Sequence, residues 1–156
     1  MDCRHIQYQY VEALSSAELA QVRSLFNLAA FWACDRSAED LALAIAHSHP
    51  VVVAWDGTQL IGFARATSDR VYRATIWDVV IHPDYQGAGL GRKLVQTVLG
   101  HPHVSRVERV YLMTTRQQQF YERIGFQENA TTTMVLFNEP VDLATELMSV
   151  DVTAER

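Results

Sequence analysis

Three glycines stand between an apolar, strand-like run and an amphipathic helix in the stretch VVIHPDYQGAGLGRKLVQTVL, residues 79–99. Glycine weakens both strands and helices, so Gly87, Gly89 and Gly91 need another reason to be there. In a turn from a strand into a helix, glycines let several backbone N–H groups point at one anion, and the helix N-terminus adds a partial positive charge. The stretch therefore predicts an α/β arrangement with an anion site at this turn, although a glycine-rich turn can also be a simple connection.

The spacing of the glycines excludes two common nucleotide-binding motifs. A GxxxxGK[ST] loop is excluded because no lysine and hydroxyl pair follows in the right place, and GxGxxG does not fit glycines at 87, 89 and 91. A pyrophosphate still has the shape and charge for this turn, and Arg92 and Lys93 follow it with positive charge.

The rest of the chain alternates strand and helix signals. His5–Val11 alternates apolar and polar residues, as a half-buried strand does. Ser15 or Ser16, and later Ser37, can cap the N-termini of two helices. The sequence then predicts strands at 51–55 and 58–66, a strand at 75–83, a helix from the glycine stretch, a strand at 107–114, a short helix at 116–126 and a strand at 131–137. This order predicts a mixed sheet covered by helices.

Composition and charge limit the classes of function. The chain has 156 residues, 49% hydrophobic and 20% charged, which suits one globular domain. Its formal net charge is −5 without a basic run, so nucleic acid is not an expected partner. No apolar stretch is long enough to span a membrane, and the first residues lack a signal-peptide core. Cys3 and Cys34 form no CxxC motif, so we expect a cytoplasmic protein.

Two pairs of histidines raise a metal hypothesis. His47 and His49, and likewise His101 and His103, are two residues apart. The sequence has no HExxH motif and no cysteine or carboxylate cluster beside these pairs. We therefore expect turn or surface histidines and no metal.

Two motifs carry a family resemblance. QGAGLG, residues 86–91, follows IHPDY and resembles the Q/R-x-x-G-x-G/A acetyl-CoA signature of the GCN5-related N-acetyltransferases (GNAT). QQFYERIGF resembles the second landmark of that family, and the element order fits from about His5 to Phe137. RATIWDVVIHPDYQGAGLG and TTTMVLF are similar to cyanobacterial and plastid members, a group that includes plant chloroplast acetyltransferases described as acting on serotonin and on protein lysines.

The resemblance implies a fold and an activity. The expected fold is α/β (α+β), with a mixed, mostly antiparallel sheet of six to seven strands flanked by about four helices, in which the fourth and fifth strands splay apart to form the acetyl-CoA cleft. It implies one domain over residues 1–156, with a core at about 5–138 and a tail at 139–156. The implied reaction moves an acetyl group from acetyl-CoA to a primary amine, either an arylalkylamine such as serotonin or a protein lysine or N-terminus. The alternative is a non-catalytic domain that binds or senses acyl-CoA.

The resemblance also implies which residues hold acetyl-CoA. Its pyrophosphate would lie on the amides of residues 86–91, and its pantetheine arm would pair with the main chain of Val79, Val80 and Ile81. Thr114 occupies a position where many family members have Asn and some plant members have Asp, so a carboxylate mechanism does not transfer to it. The implied cofactor-binding set is Val79, Val80, Ile81, Gln86, Gly87, Ala88, Gly89, Leu90, Gly91, Arg92 and Thr114.

Two residues are candidates for the chemistry. By resemblance Tyr121 sits near the CoA sulfur and protonates the departing thiolate, although it could also be a core aromatic. Asp78 lies in a nearly all-apolar strand, where burial tends to raise a carboxyl pKa. It is a catalytic base, an anchor for the substrate ammonium, or a structural hydrogen-bonding group; if the proton leaves through water, no side-chain base is needed.

Two further segments bear on substrate and assembly. Phe31 and Trp32 could form an aromatic wall for an arylalkylamine or could anchor a loop to the core. In the tail, Val141, Ala144, Leu147 and Met148 have the spacing of a short amphipathic helix. That helix would pack on its own sheet or on a second subunit of a homodimer, and the sequence does not separate the two.

Overall fold

The computed structural model describes residues 1–139. The chain divides into two compact units, residues 1–113 and residues 114–156. The predicted tail helix falls at residues 141–148, outside the described residues.

The first unit contains a five-stranded sheet in which the strands follow one another in chain order. Neighbouring strands are antiparallel from the first to the fourth, and the fourth and fifth are parallel. The strands are β1 (Gln7–Val11), β2 (Val51–Asp56), β3 (Gln59–Ser68), β4 (Arg73–Ile81) and β5 (Arg109–Tyr111).

Helices α1 and α2 begin at the serines that the sequence suggested as caps. Ser15 and Glu18 form a capping box at the start of α1, and Ser37 accepts a hydrogen bond from the amide of Asp40 at the start of α2. The helices are α1 (Ser16–Ala29), α2 (Ala38–Ala46), α3 (Leu90–Gly100), α4 (Pro102–Ser105) and α5 (Gln118–Glu122), with single 3-10 turns at Phe31–Ala33 and Pro83–Tyr85. In the described part of the chain, no helix combines the length and apolar character needed to cross a membrane.

The core lies on both faces of β2 and β3. On one face, Phe26 of α1 packs edge-on against Phe63 of β3, with ring centroids 5.3 Å apart, within a cluster that includes Val51 and Val53. Alternate strand residues point to opposite faces, so Val52 and Ala54 face the other side. The buried stripe of α3 packs against the sheet: Leu90, Leu94, Val95 and Val98.

Mixed sheet and helices confirm the expected fold class, but the strand count is lower than expected. The described residues contain five strands where six to seven were expected. The predicted strand at 131–137 is wrong: this segment is not a strand, and Met134 and Leu136 are exposed. Strand propensity mainly measures packing on a half-buried sheet surface, so apolar residues without such a surface do not form one. The predicted strand at 107–114 shortens to Arg109–Tyr111, which pairs with only three residues of β4.

The absence of a side chain at Gly62 lets β3 lie close to its neighbours. A Cβ at this position would come within 2.9 Å of Ile81 Cδ1 and 3.0 Å of Ala54 Cβ. We predict that Gly62→Ala lowers the free energy of unfolding by about 1–3 kcal/mol, because the added methyl group overpacks the sheet. Urea denaturation measures this change.

Gly100→Ala is the matched control. Gly100 ends α3, and a Cβ there would meet no atom within 4 Å. Alanine favours helix by up to about 1 kcal/mol over glycine, so this variant should be as stable as the parent or more so. Equal stability of the two variants would show that close packing does not select glycine at position 62.

Candidate functional site

One edge of β4 pairs with a neighbouring strand, β5, over only part of its length. Its ladder with β5 covers Arg73, Ala74 and Thr75 and goes no further. On the other side, pairing with β3 continues to Ile81. Within the described residues, the stretch 76–81 of β4 therefore has a sheet partner on one side only, and its other edge can accept an extended, strand-like ligand.

A β-bulge interrupts β4 within this stretch. Arg65 pairs with Trp77 and Phe63 pairs with Val80, so Asp78 and Val79 together stand opposite the single residue between Phe63 and Arg65. Asp78 has φ of 55°, in the left-handed region that aspartate tolerates better than most residues. A bulge changes the direction of a side chain, and here that side chain is the carboxylate of Asp78.

The carboxylate of Asp78 holds three hydrogen bonds from three different segments. Oδ2 accepts from Arg65 Nε of β3 at 2.8 Å and from Arg36 Nη1, before α2, at 2.9 Å. Oδ1 accepts from the indole Nε1 of Trp32 at 3.2 Å. Only 5% of the Asp78 side chain is exposed, against 16% for Arg65 and 36% for Arg36. The two guanidinium groups leave one positive charge in excess.

The pKa of Asp78 lies below its ordinary value. Burial acts to raise this pKa, but the hydrogen bonds and charges of Arg65 and Arg36 lower it and prevail. The rise expected from the sequence is therefore wrong, because the sequence did not show the two arginines next to the carboxylate. A carboxylate held in this way is a weak base at neutral pH.

Phe31 and Trp32 form an exposed aromatic pair beside this ion-paired group. Both lie in the 3-10 turn after α1, with ring centroids 5.2 Å apart and planes at 90°. Phe31 is 40% exposed and Trp32 49% exposed, so neither is a buried anchor. The hydrogen bond from Trp32 to Asp78 brings two candidates from distant parts of the sequence together.

The glycine turn adopts the backbone conformation that requires glycine. Gly87 and Gly89 each have φ of 82°, and a Cβ on either would meet no atom within 4 Å. Conformation rather than crowding therefore selects glycine at these two positions. Gly89 is the N-cap of α3, and among residues 1–139 no side chain caps this helix end. The first N–H groups of α3 are thus left for an external acceptor.

Side chains on both sides hold the glycine turn in place. The side-chain amide of Gln86 donates to the carbonyl of Ile81 at 3.0 Å, which ties the turn to the end of β4. From β1, the Tyr8 hydroxyl donates to the carbonyl of Leu90 at 3.2 Å. Lys93 Nζ lies 4.9 Å from the centre of the Tyr8 ring. Burial raises the pKa of Tyr8 to about 12, so its hydroxyl remains a donor.

The other cofactor-binding candidates of the first unit lie along the same path. Val80 and Ile81 are buried and Val79 is half-buried, as expected if their side chains are core and their main chain is the free edge. Ala88 and Arg92 are exposed. These residues lie along the chain between the bulge in β4 and the first turn of α3.

Tyr121 and Thr114 lie in the second unit. Tyr121 is in α5 and contacts the rings of Phe120 and Phe126, with centroids 4.9 and 5.8 Å away. Burial raises the pKa of Tyr121 to about 12. Thr114 Oγ1 accepts a hydrogen bond from the amide of Gln117 at 3.1 Å, just before α5.

Arg36 and Arg65 belong to the candidate site but were not predicted from the sequence. Arg65 is a charged residue within the apolar run of β3, as Asp78 is within β4. Two opposite charges in adjacent buried strands suggest an ion pair, and this signal could have identified Arg65. Arg36 lies in a loop, where a charged residue is ordinary, so no local signal marks it.

Comparisons with known proteins point to one family. Residues 47–128 match the family model described as the acetyltransferase (GNAT) domain. An uncharacterised N-acetyltransferase, ycf52, of Gracilaria tenuistipitata var. liui is 48% identical over 68 residues, which cover 43% of this chain and 37% of the relative. The GCN5-related N-acetyltransferase 2, chloroplastic, of Arabidopsis thaliana is 43% identical over 70 residues, 44% of this chain and 27% of the relative. These matches confirm the resemblance to plastid members.

A solved structure supports the fold over a longer range. A GNAT family acetyltransferase from Streptococcus pneumoniae TIGR4 superimposes with a TM-score of 0.71, covering 86% of this chain and 99% of that one, at 24% sequence identity. The chain spans less than half the length of the two curated relatives. The similarity to these relatives therefore concerns only the matched residues.

We predict that Asp78→Asn destabilises the protein by about 2–4 kcal/mol at pH 7, because it leaves two partly buried guanidinium groups without their carboxylate. The folded-state pKa of Asp78 is lowered, so its stabilisation is present above the unfolded-state pKa of about 4 and is lost as the pH falls through the folded-state value. The difference between parent and variant should therefore shrink below about pH 4. Urea denaturation at several pH values measures it.

Glu12→Gln is the charge-matched control. Glu12 is an exposed carboxylate on the surface of the same unit. Its loss should change stability by less than about 0.5 kcal/mol. An Asp78→Asn variant that behaved like Glu12→Gln at pH 7 would contradict a stabilising role for the carboxylate.

Proposed function

We propose a function from one premise, that the chain belongs to the acetyltransferase (GNAT) family, whose model it matches over more than half of its length. The proposed reaction transfers the acetyl group of acetyl-CoA to a primary amine. One observation carries it: the edge of β4 that has no strand partner among the described residues leads through a short 3-10 turn into the glycine turn, at an α3 N-terminus that no described side chain caps. A strand edge followed by the amides of a glycine turn suits a ligand with an extended amide arm followed by a pyrophosphate.

The residues present fit acetyl-CoA. The amides of residues 86–91 would hold the pyrophosphate, because no side chain of the described residues caps the start of α3 and the positive-φ glycines leave the approach open. Arg92 is exposed in the same turn and would add positive charge. The main chain of Val79, Val80 and Ile81 would pair with the pantetheine arm as a sixth strand would.

The bound thioester supplies an activated acyl carbon, which the amine nitrogen attacks as the carbon–sulfur bond breaks. The amine must be neutral to attack, so its ammonium form must first lose a proton. The excess positive charge around Asp78 favours the neutral form of a nearby amine, because a like charge lowers the pKa of an ammonium group. We therefore assign the proton to solvent, and Asp78 to a positioning role in which it holds Trp32 and the two arginines.

Tyr121 is the proposed proton donor to the departing thiolate. This role comes from its place in the FYERIGF segment, which resembles the second landmark of the family. Its pKa of about 12 keeps the phenol protonated at neutral pH. The phenol is thus a weaker acid than an unperturbed tyrosine, whose pKa is about 10. It is also a weaker acid than a thiol, whose pKa is about 8.5. It donates a hydrogen bond that stabilises the sulfur as negative charge develops there, and the proton moves to the sulfur along this bond.

The acceptor amine is proposed from two classes, arylalkylamines such as serotonin and protein lysines or N-termini. The exposed pair Phe31 and Trp32 favours an aromatic or otherwise apolar acceptor side chain. A single domain over residues 1–156, a cytoplasmic location and a homodimer stay predictions. The chloroplast relative makes a plastid-type location an alternative.

The first test is release of CoA thiol from acetyl-CoA by the purified protein. The acceptor panel contains serotonin, tryptamine, polyamines, free amino acids and lysine peptides, with products identified by mass. We expect turnover with at least one class, aromatic amines first. Tight acetyl-CoA binding without turnover on any acceptor would favour the non-catalytic, acyl-CoA-sensing alternative.

In the same assay, Tyr121→Phe should lower kcat by about 10²-fold or more while changing the affinity for acetyl-CoA little, because it removes an interaction that forms as the thiolate leaves. Tyr72→Phe is the control, since Tyr72 is exposed on the surface of the first unit. Equal kinetics for the two variants and the parent would exclude Tyr121 as the donor.

Gly89→Val should weaken acetyl-CoA binding by more than about tenfold, because a branched side chain at positive φ distorts the turn and blocks the amides. Gly57→Val is matched for backbone strain, since Gly57 also has positive φ and an unobstructed Cβ position. Calorimetric titration should show a loss of affinity only for Gly89→Val. Unchanged affinity would refute the proposed phosphate site.

A further inference from the structure

Three histidines from separate parts of the sequence lie together in the first unit. His49 precedes β2, His101 joins α3 to α4, and His103 lies in α4. Their ring centroids are 4.6–4.8 Å apart in each pair. One ring nitrogen from each lies within 4.8 Å of the others, and all three residues are half-buried.

Backbone hydrogen bonds hold the three positions independently of any ligand. The amide of His49 donates to the carbonyl of Ala66 in β3 at 2.8 Å. The hydroxyl of Ser68, two residues further along β3, donates to the carbonyl of His103. The amide of Ser105 donates to the carbonyl of His101 at 2.9 Å, within α4. Hydrogen bonds thus connect His49 and His103 to the same strand, β3, and His101 to α4.

We propose that His49, His101 and His103 bind a divalent transition metal ion such as Zn²⁺. Imidazole nitrogen is a ligand that zinc, copper and nickel ions accept well. Zinc binds nitrogen at about 2.0–2.1 Å, so tetrahedral ligands lie about 3.3 Å apart. Side-chain rotations that move each ring nitrogen by roughly 1 Å bring the nitrogens to that distance. Water completes the coordination sphere, as it does in three-histidine zinc sites.

The surroundings of His101 and His103 disfavour the charged form of each ring. Burial lowers the pKa of His101, and the neighbouring His103 and His49 lower it further. Burial also lowers the pKa of His103, with Arg70 and His49 acting in the same direction. A metal ion binds the neutral form of imidazole.

His101 makes one contact that metal binding must replace. Its Nδ1 accepts a hydrogen bond from the amide of His103 at 3.1 Å and so caps α4. A metal on Nδ1 displaces this bond directly. A metal on Nε2 requires the ring proton to move to Nδ1, which also ends the bond. Metal binding is therefore expected to reshape the start of α4.

The cluster is separate from the proposed acetyl-CoA site. It lies at the C-terminal end of α3, whereas the glycine turn lies at the N-terminal end. Eleven helical residues span about 16 Å. A bound ion would join the α2–β2 connection to the α3–α4 connection, so its main effect is on stability. The proposal stands or falls independently of the acetyltransferase function.

Titration of metal-free, tag-free protein with Zn²⁺ tests the site. Calorimetry should show one zinc ion bound per chain, and zinc should raise Tm. Co²⁺ added in place of zinc should give the visible absorption band of a Co²⁺ ion in low-symmetry coordination. His49→Gln, His103→Gln and His101→Asn should each weaken zinc binding by about tenfold or more. His101→Asn keeps a good helix-capping side chain, so it separates loss of the ligand from loss of the cap.

His47→Gln is the matched control. His47 is an exposed histidine two residues from His49, and its ring hydrogen-bonds to the carbonyl of Leu43. This variant should bind zinc as the parent does. Absence of zinc binding by the parent, equal binding by the three cluster variants, or equal weakening in His47→Gln would each overturn the proposal.

Discussion

A buried carboxylate needs hydrogen-bond donors and positive charge around it, and at Asp78 this requirement organises the first unit around the candidate site. The partners come from three places: Arg65 in the adjacent strand, Arg36 before α2, and the indole of Trp32 after α1. The β-bulge in β4 gives the carboxylate the direction that these contacts need. One side chain thus connects the strand with the free edge to the exposed aromatic pair.

The fold and the candidate site depend on the same break in the sheet. β5 pairs with only the first three residues of β4, so the remaining backbone of β4 has one edge without a strand partner in the described part of the chain. The same strand leads through a short turn to the glycines and to the start of α3. An open strand edge and an uncapped helix are costly in an ordinary fold, because each leaves backbone hydrogen-bonding groups without partners. Their occurrence side by side is what suggests a ligand with both amide and phosphate groups.

Local patterns predicted most elements of the fold. Ser15 and Ser37 cap the two helices because a short polar side chain next to free amides is stabilising in any context. The glycine turn and α3 follow from glycine conformation and helical spacing in the same way. The strand at 131–137 failed because its residues have the right composition but no sheet surface to cover.

By itself, the sequence determined the order of the elements, the glycine turn with its positive φ angles, and the family of the chain, because each depends on residues close together along the chain. The tertiary structure decided the protonation and partners of Asp78, the open edge of β4 and the meeting of His49 with His101 and His103. Those features depend on distances between residues far apart in sequence, and the spacing of residues along a chain does not specify such distances. A charge in a strand or a pair of histidines acquires its chemistry from neighbours that only the fold supplies.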